Sequence, residues 1–80
     1  MRLPRDVSGD DLVRALAKFG YIPTRQTGSH LRLTTLQNGE HHVTVPRHSP
    51  LRLGTLAGIL QAVAAHLQLS RDAVAAVLFT

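Results

Sequence analysis

The sequence predicts an α+β domain of order α-β-β-β-α: a three-stranded antiparallel meander with both main helices on one face and a short extra helix at the C-terminus. Three observations predict it. Apolar residues recur at helical spacing near both ends of the chain, they alternate in its middle, and glycine-containing pairs punctuate the alternating stretch.

Residues 8–19 have the pattern of the first helix. Ser8 stands at the N-cap with Asp11 three residues later, a capping-box spacing. Asp10 and Asp11 place negative charge at the positive end of the helix dipole. Leu12, Leu16 and Phe19 make one apolar face, and Gly20 suits the left-handed residue that ends a helix. A strand follows over 21–27, and Pro23 within it calls for a sheet edge because proline cannot donate to a ladder. Gly28-Ser29 is a two-residue hairpin turn. Residues 30–36 alternate with Leu31 and Leu33 on one face. Asn38-Gly39 marks a second turn, and residues 42–47 alternate again with Val43 and Val45 inward. Beyond Pro50 the period becomes helical. Leu53, Leu56, Ile59 or Leu60, Val63 and Leu67 form a stripe over about 53–67. Ser70 then caps a last short helix bearing Val74, Val77 and Leu78.

Composition bounds the function. The chain has 80 residues, which fits one domain spanning 1–80. Hydrophobic residues at 44% and charged residues at 18% are globular proportions and argue against disorder. The absence of cysteine excludes disulfides, cysteine-based zinc sites and thiol nucleophiles. No apolar run approaches the ~18–20 residues of a membrane span, and MRLPRDVSGDD has no apolar stretch fit for a signal peptide, so the expected location is the cytoplasm. A net charge of +4 favours a polyanionic partner. The charge is also uneven. Asp6, Asp10, Asp11 and Asp72 lie towards the ends, whereas the middle carries Arg25, Arg32, Arg47 and Arg52 against Glu40 alone, with His30, His41, His42 and His48 among them.

Strand parity sorts these side chains. The Gly28-Ser29 turn sets Thr27 opposite His30 and Arg25 opposite Arg32, and opposite residues share a face. With Leu31 and Leu33 turned to the helices, His30, Arg32, Arg25 and Thr34 face solvent. His42, Thr44, Pro46 and His48 join them if Val43 and Val45 face inward. A strictly two-residue Asn38-Gly39 loop would pair Leu33 with Thr44 and expose both valines, so the loop must differ by one residue. Two registers satisfy burial: Leu33 opposite Val45 with His30 opposite His48, or Leu33 opposite Val43 with His30 opposite Pro46. The first puts His48 beside His30 and the second puts it two residues further on. In either, His48 is a candidate second proton-transfer group or phosphate donor.

Arginines facing one another across two strands are mildly repulsive unless an anion lies between them. His30 is fixed at a turn–strand junction beside them, and histidine is the residue type that can take or give a proton near neutral pH. RNA supplies its own nucleophile, the 2′-hydroxyl. The arrangement therefore fits RNA cleavage without a metal or other cofactor, and it fits a non-catalytic RNA-binding module as the alternative. A zinc site from His41, His42 and His48 is disfavoured because adjacent strand residues point to opposite faces. DNA binding ranks lower, since no helix has the basic face of a recognition helix. His66, among alanines on the second helix, reads as a surface residue or helix-face filler.

Three segments in this order, RQTGSH (Arg25 to His30), HVTVPRH (His42 to His48) and LGTLAGIL (Leu53 to Leu60), resemble the HicA toxins, also called the YcfA-like family. FGY (Phe19 to Tyr21) fits as well, and the resemblance runs from about Ser8 to Leu69. It implies a double-stranded-RNA-binding-like fold and an mRNA interferase, the toxin half of a type II toxin–antitoxin pair. It further implies that His30 is catalytic, with Gly28 and Ser29 positioning it, and that a HicB-like antitoxin covers the site, with an oligomeric complex as one form. The RNA contacts then expected are Arg25, Arg32, Arg47 and His48. Family members are usually rich in lysine here, whereas this chain has Lys18 alone and uses arginine, which clamps phosphate bidentately.

Overall fold

A computed structural model describes residues 3–80. Met1 and Arg2, the start of the stretch read for a leader, lie outside the described residues. Helix α1 (Gly9–Leu16) runs into a 3-10 turn, Ala17–Phe19, so the expected helix over 8–19 tightens in its last turn. Strands β1 (Ile22–Thr27), β2 (His30–Thr35) and β3 (His41–Pro46) form an antiparallel sheet in the order β1-β2-β3. Helices α2 (Leu53–Leu67) and α3 (Arg71–Leu78) follow. This is the α-β-β-β-α order, with the short helix appended. Among the described residues no single helix is long and apolar enough to cross a membrane.

Local chemistry explains each boundary. The Ser8 hydroxyl accepts from the Asp11 amide while the Asp11 carboxylate accepts from the Ser8 amide, closing the capping box. Gly20 ends the 3-10 turn at φ 79°, in the left-handed region. The buried Thr35 hydroxyl donates to the Phe19 carbonyl at 2.8 Å, fixing the helix end to β2. Ser70 caps α3 through the Ala73 amide.

The registers decide between the two alternatives left by parity. Leu33 pairs with Val43, Arg32 with Thr44 and His30 with Pro46. The loop between Thr35 and His41 is therefore longer than two residues, with Asn38 and Gly39 both at positive φ. Between β1 and β2, Arg25 pairs with Arg32 and Thr27 with His30 as expected. A bulge between Pro23 and Arg25 was not expected; it inserts Thr24, so Ile22 pairs with Thr34 on the outer face.

The core lies between the sheet and the helices. Leu12 and Leu16 of α1, Leu33 and Val45 of the sheet, and Leu60 and Val63 of α2 are fully buried, each such side chain contributing about 1.5–3 kcal/mol of burial. Tyr21, just ahead of β1, is also fully buried. Ile59 and Leu60 are both buried, whereas Leu53 and Val77, expected on the apolar stripes, are largely exposed. β1 differs from the other strands: all six of its residues are exposed, and the buried side chains of the sheet come from β2 and β3 alone.

Candidate functional site: a cationic patch beside two histidines

The outer face of the sheet carries the candidate site. Arg25, Thr27, His30, Arg32 and Thr44 line a shallow depression of about 220 Å³. Arg25 and Arg32 meet there because the Gly28-Ser29 turn pairs them, and among the described residues no carboxylate bridges to either. Two unneutralised guanidiniums side by side favour an anion between them.

His30 is held by its backbone. The Gln26 amide side chain donates to the Gly28 carbonyl at 3.1 Å, closing the turn. The Arg47 amide donates to the Ser29 carbonyl at 2.7 Å, tying the end of β3 to the same turn. Gly28 takes φ +58°, and no atom lies within 4 Å of where a Cβ would stand, so backbone conformation rather than space calls for glycine there. The His30 ring is exposed and has no hydrogen-bond partner among the described residues. His48 stands next to it. The two ring centroids are 6.4 Å apart at 68°, an edge-on arrangement. His48 is fixed from behind, where the Gly9 amide donates to its carbonyl at 2.8 Å.

Arg47, expected among the phosphate contacts, is engaged elsewhere. Its side chain bonds the Asp10 carboxylate through Nε at 3.0 Å and a terminal nitrogen at 3.3 Å. That guanidinium holds the Asp10 carboxyl below its usual range, and Asp10 in turn raises Arg47. The structure thus brings together Arg25, His30, Arg32 and His48, and ties Arg47 to the N-terminus of α1.

The remaining histidines serve the scaffold. His42 Nε2 bonds Glu40 at 3.0 Å and its Nδ1 bonds Thr34 at 2.7 Å, on the outer face. His41 lies on the other face, where Tyr21 donates its hydroxyl to His41 Nδ1 at 2.8 Å. Burial, then the neighbouring His66 and His42, lower the His41 pKa, and burial raises that of Tyr21. His66 stacks on His41 at 4.3 Å, and its Nε2–H donates to the carbonyls of Gln37 and Gly39 at 2.8 and 3.0 Å. Asn38 returns a bond to the His66 carbonyl at 2.8 Å. His66 is therefore a clamp between α2 and the β2–β3 loop, not the plain surface residue its alanine neighbours suggested. Among the described residues no group of three histidines or carboxylates is placed to hold a metal ion.

Gly9 escaped sequence reasoning. A Cβ there would stand 2.1 Å from the Pro46 carbonyl oxygen, so only glycine lets α1 approach β3 this closely. Its one sequence signal is a poor helix former at the first position of a well-capped helix. A larger depression of about 620 Å³ lies at the opposite end of the outer face, around Ile22, Thr24, Thr34 and Leu36. No titratable side chain lines it, so it offers contact surface rather than proton chemistry.

The small α+β domain carries an exposed cationic patch on its sheet, and comparison with known families narrows its class to one half of a toxin–antitoxin pair. Residues 9–64 match the family described as HicA toxin of bacterial toxin-antitoxin. The chain belongs to the HicA toxin family. Comparison with curated proteins and with solved structures gives no match.

Proposed function

We propose that this toxin is a metal-independent mRNA interferase, an endoribonuclease acting in the cytoplasm and neutralised by a HicB-like antitoxin that covers the outer face of the sheet. The observation that carries it is the unpartnered His30 ring at the rim of the Arg25–Arg32 depression. An RNA phosphate seated on the two guanidiniums brings its adjacent 2′-hydroxyl to His30. His30 takes the hydroxyl proton as general base. The 2′-oxygen then attacks phosphorus while the arginines compensate charge developing on the non-bridging oxygens. The products are a 2′,3′-cyclic phosphate and a free 5′-hydroxyl. RNA brings the nucleophile itself, so no metal-bound water is required.

The test is cleavage of an unstructured RNA by the purified toxin in chelator, compared with a His30→Ala variant whose fold is checked by circular dichroism. Wild type is expected to cleave, to leave cyclic or 3′-phosphate ends and to spare a 2′-deoxy substrate. His30→Ala is expected to bind the RNA without cutting it, and to lose growth arrest in cells. Equal cleavage by a folded His30→Ala variant would overturn the assignment. RNA binding without cleavage by wild type would make the domain a binding module.

A further inference from the structure

We propose that His48 is a second catalytic group, the general acid that protonates the departing 5′-oxygen. The inference rests on the ribonuclease function proposed above and deepens it. Displacement at phosphorus by a 2′-oxygen is in line: the entering and leaving oxygens lie on opposite sides of the phosphorus. One imidazole cannot reach both at once, because a proton-transferring group must lie within about 2.6–3.2 Å of its oxygen. A metal-free site therefore gains most from two proton carriers flanking one phosphate.

His30 and His48 form such a pair. Their ring centroids are 6.4 Å apart, too far for the rings to bond each other and close enough for one phosphate to lie between them. Neither ring has a hydrogen-bond partner among the described residues, so both are free for substrate. Both are held by backbone rather than by side-chain contacts. The Arg47 amide fixes the end of β3 to Ser29, and the Gly9 amide holds the His48 carbonyl. Arg25 and Arg32 line one depression with His30, and Arg47, the chain neighbour of His48, is ion-paired with Asp10 at the start of α1.

The step balances. The 2′-hydroxyl proton passes to neutral His30 as the O2′–P bond forms. The P–O5′ bond breaks with its electron pair on O5′, which takes a proton from protonated His48. Exchange with water restores both rings.

The experiment compares all-oxygen RNA with RNA carrying a bridging 5′-sulfur at the cleavage site, because a thiolate leaves without protonation. His48→Ala and His48→Gln are expected to cut all-oxygen RNA about 10²–10⁴-fold more slowly and the sulfur substrate at close to the wild-type rate. His30→Ala is expected to be slow on both. An equal loss on both substrates for the His48 variants would assign His48 to binding or structure and overturn the proposal, as would full activity on all-oxygen RNA. In both cases the dependence on His30 leaves the ribonuclease reading standing. Failure of wild type to cut either substrate would overturn both.

Discussion

Replacing Gly9 with alanine tests how the first helix is seated against the strand end that carries His48. The new Cβ would stand 2.1 Å from the Pro46 carbonyl oxygen and 2.9 Å from the Arg47 Cα. Both are backbone atoms, so neither can swing aside, and α1 must lift from β3. Overpacking of this kind costs about 1–3 kcal/mol. Separating the segments also strains the 2.8 Å bond from the Gly9 amide to the His48 carbonyl, a further cost of about 0.5–1.5 kcal/mol. Against this, alanine gains up to about 1 kcal/mol as a helix former. The net expectation is a loss of about 0.5–4.5 kcal/mol, with the melting temperature falling by roughly 4–8 °C per kcal/mol in a domain of this size. Gly58, exposed in the middle of α2, is the internal control. Nothing lies within 4 Å of its Cβ position, so Gly58→Ala should stabilise by about 0.5–1 kcal/mol. Urea unfolding of the two variants beside wild type reads the difference directly. A Gly9→Ala protein as stable as wild type would show that the close approach of α1 to β3 does not exist in solution.

Arg25→Gln and Arg32→Gln should each weaken RNA binding and reduce its salt dependence by about one counterion per lost phosphate contact, with unfolding unchanged or slightly harder because a like-charge pair is relieved. Binding titrations at several salt concentrations measure this, and an unchanged slope in both variants would make the pair ordinary solvated surface. Stability should also fall in acid through His41. Its pKa is lowered in the folded state, so the unfolded chain binds the proton more readily. The contribution is present in full above the unfolded value of about 6.5 and is lost as pH falls through the lower folded value. His41→Asn keeps an acceptor for the Tyr21 hydroxyl and cannot titrate. Thermal melts between pH 7.5 and 5.5 should therefore slope less for the variant, and an identical slope would remove His41 from the linkage.

Periodicity and turn chemistry made most of the architecture legible. Ser8 and Asp11, three residues apart, marked the start of α1. Gly20 marked the end of the 3-10 turn that continues it, and the stripe from Leu53 to Leu67 traced α2, although Leu53 itself is exposed. Parity required the loop to differ by one residue from a strict Asn38-Gly39 turn, because the strict pairing exposed Val43 and Val45, and the observed register is one of the two it allowed. The same reasoning placed Arg25 against Arg32. Contacts between segments distant in sequence were not legible. The approach of Gly9 to Pro46, the pairing of Arg47 with Asp10 and the stacking of His66 on His41 join positions 25 or more residues apart. Local patterns report which face a residue takes, not which element covers that face. The bulge at Thr24 belongs with these, since Pro23 announced an edge but not an inserted residue.

The full exposure of β1 has an evolutionary consequence. This strand supplies half of the cationic patch and none of the packed interior. Substitutions at Arg25 or Thr27 therefore bear on what the surface presents while leaving the unfolding equilibrium almost untouched, because surface changes typically alter stability by no more than about 0.5 kcal/mol. Leu33 and Val45, packed behind the same surface, have no such latitude. Selection for a new target, or for escape from a mismatched inhibitor, can thus work on one edge of the molecule without first accumulating compensating stabilisers.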